Sequence, residues 1–265
     1  MDGNLYLGTS GFAYDEWKHG VFYPEGLKNR EMLSYYASRF PSVEINYTFR
    51  RFPTEKALTT WREESPAAFR FTLKANQRIT HFKKLRDVDQ DVRDFLTAAK
   101  VLGERLGTVL YQCPPTLHYD RALIEAFVGY LPPEPRAAME FRHPSWVEAR
   151  DLLRDQGIAW CVAETDQKDP GPDDLSWEPF GYLRLRKTEY TDDEMASWAA
   201  TMRPVLERGN DLYVYFKHED DGASTEMAQR LRGLVGATDG GAVDAVADAT
   251  SADAGVSEAT APGAA

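Results

Sequence analysis

Short apolar runs and longer stretches of helical spacing alternate along this chain. Leu5-Tyr6-Leu7-Gly8 reads as a short strand, and residues 29–40 follow with Leu33, Tyr36, Ala37 and Phe40 on one helical stripe. Ser42-Val43-Glu44-Ile45-Asn46 is the next strand. Thr54 stands where it can cap a helix carrying Leu58 and Trp61. Phe69-Arg70-Phe71-Thr72-Leu73-Lys74 alternates as a strand does. A long helix then aligns Val92, Phe95, Leu96, Ala99 and Leu102, and Gly107 is read as the start of its exit.

The second half repeats the scheme. Thr108-Val109-Leu110-Tyr111-Gln112 is a buried strand, and Asp120 opens a helix holding Leu123, Phe127 and Leu131. Residues 137–142 form a strand. Ser145 with Glu148 has the spacing of a capping box before Leu152 and Leu153. Residues 158–162 are a strand, after which Asp169-Pro170-Gly171-Pro172 breaks the pattern, so the sixth helix is expected to be short or replaced by a loop. Tyr182-Leu183-Arg184-Leu185 is a strand. Thr191 with Glu194 is a second capping box, leading into Met195, Trp198 and Met202. Residues 211–216 are the eighth strand, and Met227, Leu231 and Leu234 mark the last helix.

Eight strands with a long return after each require parallel pairing, because a parallel neighbour needs a crossover. Eight such units in one chain of 265 residues predict an α/β fold, a closed (β/α)8 TIM-like barrel in a single domain over residues 1–236. The competing open, doubly wound sheet lacks a G-x-G-x-x-G turn after the first strand. Residues 237–265 have no aromatic residue, Leu or Ile, and are expected to form a disordered, acidic, Ala/Gly-rich tail.

Composition narrows the partners. The formal net charge is −11, which argues against a general binder of nucleic-acid backbone but leaves room for a local cationic pocket. No apolar run is long enough to span a membrane, and the first residues have no leader pattern. With only Cys113 and Cys161, both in apolar stretches, a reducing cytoplasm is the expected setting.

In such barrels the chemistry lies at the carboxyl ends of the strands. Here those ends carry Thr9, Ser10 and Gly11; Glu44 and Asn46; Lys74; Gln112; Glu140, Arg142 and His143; Glu164; Arg184 and Arg186; Lys217 and His218. Alternation puts Glu44 with Asn46, and Glu140 with Arg142, on the interior side, leaving Ile45 and Phe141 outward. Arginine suits bidentate capture of carboxylate or phosphate, and lysine can anchor an anion or act as a base when desolvated. Glu140, Glu44 and Lys74 are therefore the candidate catalytic groups. Thr9, Ser10, Gly11, Asn46, Gln112, Arg142, His143, Arg184, Arg186 and Lys217 are the candidate ligand contacts. The backbone amides around Ser10 are further candidate anion ligands. The competing reading is mutual pairing, with Lys74 salt-bridged to Glu44 or Glu140. Trp17, Trp146 and the other loop aromatics either stack on a ligand or pack the loops down. His81, His118, His143 and His218 fall on separate loops without metal-ligand spacing, so no metal and no cofactor are expected.

The ordered set Gly8-Thr9-Ser10-Gly11-Phe12, Val43-Glu44-Ile45-Asn46-Tyr47-Thr48-Phe49, Ile79-Thr80-His81, Gln112-Cys113-Pro114-Pro115, Glu140-Phe141-Arg142-His143, Tyr182-Leu183-Arg184 and Tyr213-Val214-Tyr215-Phe216 resembles the YecE-like family of uncharacterised barrel proteins. The resemblance covers roughly residues 5 to 235 and implies the barrel, but no reaction. Two departures add positive charge: Leu185, Arg186 and Lys187 stand where many relatives have His-Gly, and Lys217-His218 where many have paired Asn. The leading expectation is an enzyme using acid/base chemistry on a small phosphorylated or carboxylated metabolite. Its rivals are a non-catalytic anion sensor, a glycoside hydrolase using the paired carboxylates, and a nucleic-acid-processing enzyme.

Overall fold

The computed structural model describes residues 3–168, 170, 178–217 and 222–236. Eight strands run in parallel: β1 (Leu5–Thr9), β2 (Ser42–Ile45), β3 (Arg70–Lys74), β4 (Leu106–Gln112), β5 (Arg136–Glu140), β6 (Ala159–Thr165), β7 (Gly181–Arg186) and β8 (Leu212–Phe216). Their order, β1-β8-β7-β6-β5-β4-β3-β2, is that of a sheet curling back on itself. The helices are α1 (Met32–Ala37), α2 (Tyr47–Arg50), α3 (Glu55–Glu64), α4 (Asp89–Ala99), α5 (Arg121–Val128), α6 (Arg150–Asp155), α7 (Asp192–Glu207) and α8 (Ala223–Val235).

Strand alternation divides the core in two. Ile45, Phe71, Val109, Phe141, Leu183 and Val214 join the helices in an outer layer. Leu110, Ala138, Cys161, Tyr182, Tyr213 and Tyr215 fill the inside of the barrel. Tyrosine fills that space because its ring is apolar and its hydroxyl can find a partner. The Tyr215 hydroxyl lies 2.6 Å from Ser42 Oγ and 2.7 Å from Thr72 Oγ1.

Two seams depart from regular pairing. Between β1 and β2 the only bridge is Ser10↔Glu44, at the mouth. Below it the Tyr36 hydroxyl, reaching in from α1, accepts from the Thr9 N–H at 2.8 Å and donates to the Ser42 carbonyl at 3.1 Å. The side chain thereby satisfies backbone groups that a ladder would have paired. Gly8 is required there, because a Cβ would sit 1.9 Å from the Ser42 oxygen. The second seam lies between β5 and β6, which pair only at Ala138↔Ala159 and Met139↔Trp160.

Caps at Thr54 and Asp120 and the Thr191–Glu194 box form as the spacing predicts. The Ser145–Glu148 box does not. His143 instead caps a short 3-10 helix, Pro144–Ala149, by accepting from the Ser145 N–H. Gly107 lies inside β4, and the preceding turn is made by Gly103 at φ +57°. Between β6 and β7 no helix occurs among the described residues, although most of the Pro/Gly-rich stretch there lies outside them. The expected tail over 237–265 and His218 also lie outside them. Among the described residues no helix is long and apolar enough to cross a membrane.

Candidate functional site

At the carboxyl ends of β2, β5 and β7, alternation aims Glu44, Glu140 and Arg184 into one buried cluster. Arg184 donates from Nη1 to Glu140 Oε2 at 2.6 Å and from Nη2 to Glu44 Oε1 at 2.8 Å. All three side chains are at most 3% exposed. Glu44 also accepts from Ser10 Oγ and, at 2.7 Å, from the Tyr182 hydroxyl. Asn46 donates to Ser10 Oγ at 2.6 Å. Arg142, nearer the solvent, donates from Nε to Glu140 Oε1 at 3.1 Å. Each carboxylate is therefore held from two sides, which is what burial of an ionised group demands.

The electrostatics follow. Burial pushes the Glu140 carboxyl up, but the Arg184 and Arg142 guanidiniums outweigh it and hold the pKa near about 2. Glu44 is likewise lowered: burial opposes ionisation, while Arg184, Ser10 and Tyr182 favour it more. Lys74 goes the other way. Burial and the nearby Arg184 charge depress its ammonium to about 8, against a weaker pull from Glu44 and Glu140. Its Nζ sits 4.3 Å from the centre of the Phe49 ring and has no carboxylate partner among the described residues. The competing reading, a salt bridge from Lys74 to Glu44 or Glu140, is not realised, and both carboxylates are held by Arg184. Arg186 is also partly buried without an ion pair among the described residues. Burial and the Arg184 charge lower its pKa. Four cations (Lys74, Arg142, Arg184, Arg186) thus face two carboxylates at the mouth.

A cavity of about 350 Å³ opens at the seam between β5 and β6. Glu140, Arg142, Cys161, Ala163 and Arg186 line it from the barrel side, and Phe141, Trp160 and Val162 from the outer side. Thr165, Lys168 and Pro170 complete its lining.

Ser10, Glu44, Asn46, Lys74, Glu140, Arg142, Arg184 and Arg186 gather in or around the buried cluster, and of these Glu140, Arg142 and Arg186 line the cavity. Gln112, in register with Glu140, is 3% exposed, and its carboxamide makes no hydrogen bond among the described residues. Lys217 continues β8 at the rim, its N–H donating to the Leu185 carbonyl. Other candidates lie elsewhere. Thr9 faces the outer layer, its hydroxyl 2.9 Å from that of Tyr36 and 2.6 Å from the Gly11 carbonyl. The Ser10 and Gly11 amides donate to the carbonyls of Phe216 and Glu44, both at 2.8 Å, so the strand ladder has claimed the expected anion-binding amides. His143 turns away to Ser145 and stacks on His118 with centroids 3.8 Å apart, a close pair that their sequence separation conceals. Glu164 points outward to Trp198 and Lys187. Trp17 and Trp146 are fully buried and pack the loops down.

Two further groups belong to the site. Tyr182 precedes Arg184 by two residues, so alternation alone places it on the same face. His81 lies in a π-helical turn (Arg78–Phe82), a local geometry that hydrophobic spacing does not encode. Its ring packs edge-on to Phe49, and burial together with the Lys74 and Arg142 charges lowers its pKa.

Fold and site together define a parallel eight-stranded barrel protein with an ion-paired, cation-rich mouth. The chain belongs to the DUF72 family, described as protein of unknown function, whose profile matches residues 6–251. It is similar to UPF0759 protein YecE of Escherichia coli (strain K12), with 32% identity over 143 residues, 54% of this chain and 50% of that protein. The matched part thus spans about half the length of that relative. UPF0759 protein YunF of Bacillus subtilis (strain 168) is 21% identical over 274 residues, covering 87% of this chain and 94% of that one. Among solved structures, a DUF72 family protein from Thermotoga maritima superposes with a TM-score of 0.74 and 25% identity over 88% of this chain and 100% of that chain.

Proposed function

We propose that the barrel mouth binds a small phosphorylated or carboxylated metabolite and exchanges a proton with it. The observation that carries this is the pair of partly buried cations, Lys74 and Arg186, which have no anionic partner among the described residues and lie beside a cluster in which both carboxylates are already held. Desolvated, unpaired positive charge is costly unless an anion completes it. Arg142, Arg186 and Lys74 hold the anion; Arg184, Glu44 and Glu140 are the frame that fixes them. The proton-exchanging group in this reading is Lys74 rather than Glu140. A pKa near about 8 leaves both forms of the amine accessible at neutral pH, whereas a carboxyl near about 2 is a weak base and is never protonated there. The same depression disfavours glycoside hydrolysis, which needs one carboxyl kept protonated by a raised pKa.

The test is a thermal-shift screen of phosphorylated and carboxylated metabolites with the full chain. Binding raises the melting temperature by mass action. Arg186→Ala should remove most of the shift. Lys74→Met should weaken the shift and abolish turnover. A screen in which no anion moves the melting temperature overturns the proposal. Binding with no chemical change in any bound anion would make the protein a sensor.

A further inference from the structure

We infer that the anion carries a planar apolar group, and that this group inserts through the seam between β5 and β6 against Trp160. The inference rests on the anion reading above and adds the identity of the other half of the ligand. The cavity at this seam has two chemically different walls. Arg142 and Arg186 stand on the barrel side, and Phe141, Trp160 and Val162 on the outer side. A plain inorganic anion would use only the first wall.

The opening comes from the backbone. The β5–β6 pairing ends at Met139↔Trp160, whereas β6 stays paired with β7 from Cys161 to Thr165. The barrel is therefore parted on one side of β6 only, and residues from both its faces reach the same space. The apolar wall is firmly placed. Phe141 stacks on buried Trp146 at 4.1 Å and 13°, and Trp160 is held between the Phe141 ring at 5.5 Å and the Arg150 guanidinium at 5.0 Å. Trp160 remains half-buried, although the large aromatic residues beside it are buried. The cavity volume of about 350 Å³ is at the lower end of the range for small-molecule sites and suits one ring plus one anionic group. Phe141 and Val162 offer no hydrogen bond and Trp160 offers only its indole N–H, so this wall favours a ring over ordered water, which needs two or more polar partners.

Calorimetric titration of the full chain with inorganic phosphate, phenyl phosphate, acetate and benzoate separates the two parts of the ligand. Phenyl phosphate or benzoate is expected to bind about tenfold more tightly than its ring-free counterpart. Trp160→Ala should erase that preference while leaving phosphate affinity unchanged, and Arg186→Ala should weaken every anion. Trp160→Leu keeps an apolar side chain at the position but removes the ring, and it should also erase the preference, which covers the case of a misfolded Trp160→Ala variant. Equal affinity for ring-bearing and ring-free anions, or a preference that survives both variants, overturns this inference and leaves the anion reading standing. Failure of all four anions to bind removes the anion reading, and this inference with it.

Discussion

The β1–β2 and β5–β6 seams interrupt the same barrel in opposite ways. At the first, the gap is filled by one hydroxyl: Tyr36 serves both the Thr9 amide and the Ser42 carbonyl, and Gly8 lets the strands approach around it. At the second, pairing stops after two residues, and among the described residues none fills the space. Backbone polar groups must be satisfied wherever they are buried from water. A seam sealed by a side chain therefore contributes to stability, while an open one contributes less. Arg184 ties the two together, since it grips Glu44 beside the sealed seam and Glu140 beside the open one.

Breaking that tie should have the largest effect. Arg184→Met leaves two buried carboxylates without their shared cation, and urea unfolding at pH 7 should show a loss of about 3–5 kcal/mol. A loss below about 1 kcal/mol would mean that the carboxylates find other partners and the seams are independent. Tyr36→Phe should cost about 1–3 kcal/mol, because an amide and a carbonyl lose their buried partner. Trp160→Leu at the open seam should cost less, under about 1 kcal/mol by the same measurement. The reverse order would make the open seam a packing contact and the contrast false.

The last effect is a gain rather than a loss, and it depends on pH. Lys74 gives up its proton at about 8 in the fold and near its ordinary 10.5 when unfolded. Between those values the unfolded chain holds more protons, so this residue makes stability rise with pH through that window. Below about 8 the amine is charged in both states and its burial penalty is complete. Lys74→Met should therefore melt at a higher temperature than the unaltered protein at pH 7, and the advantage should vanish towards pH 10.5. An equal advantage at both ends would trace it to packing rather than to charge.

The barrel was legible because alternation and helical spacing are written in consecutive residues. Ile45 and Phe141 face outward, and Glu44 and Glu140 inward, as period-two reading requires. What that reading missed depends on how neighbouring strands end. The Ser10 and Gly11 amides look free for an anion until the carbonyls of Phe216 and Glu44 are seen to take them. Glu164 follows an apolar run as Glu140 does, yet it sits on the outward side of its strand and meets Trp198. The early end of the β5–β6 pairing has no signature in either strand alone. The His118–His143 stack brings together residues 25 apart in sequence. Spacing also could not settle the protonation of Glu140, because burial and charge act in opposite directions and only the geometry of Arg184 decides between them.

The cation-rich mouth sits in a chain whose formal net charge is −11. An approaching anion therefore meets repulsion at long range and attraction only at the entrance. Dissolved salt shortens the reach of the outer field to about 8 Å at physiological ionic strength, while charges buried in the mouth are shielded much less. The encounter should accordingly quicken as ionic strength rises from very low values, the reverse of the usual steering of a ligand to a protein of opposite charge. The body of the molecule would then act as a gate on arrival rates, and the buried cluster would set how long the visitor stays.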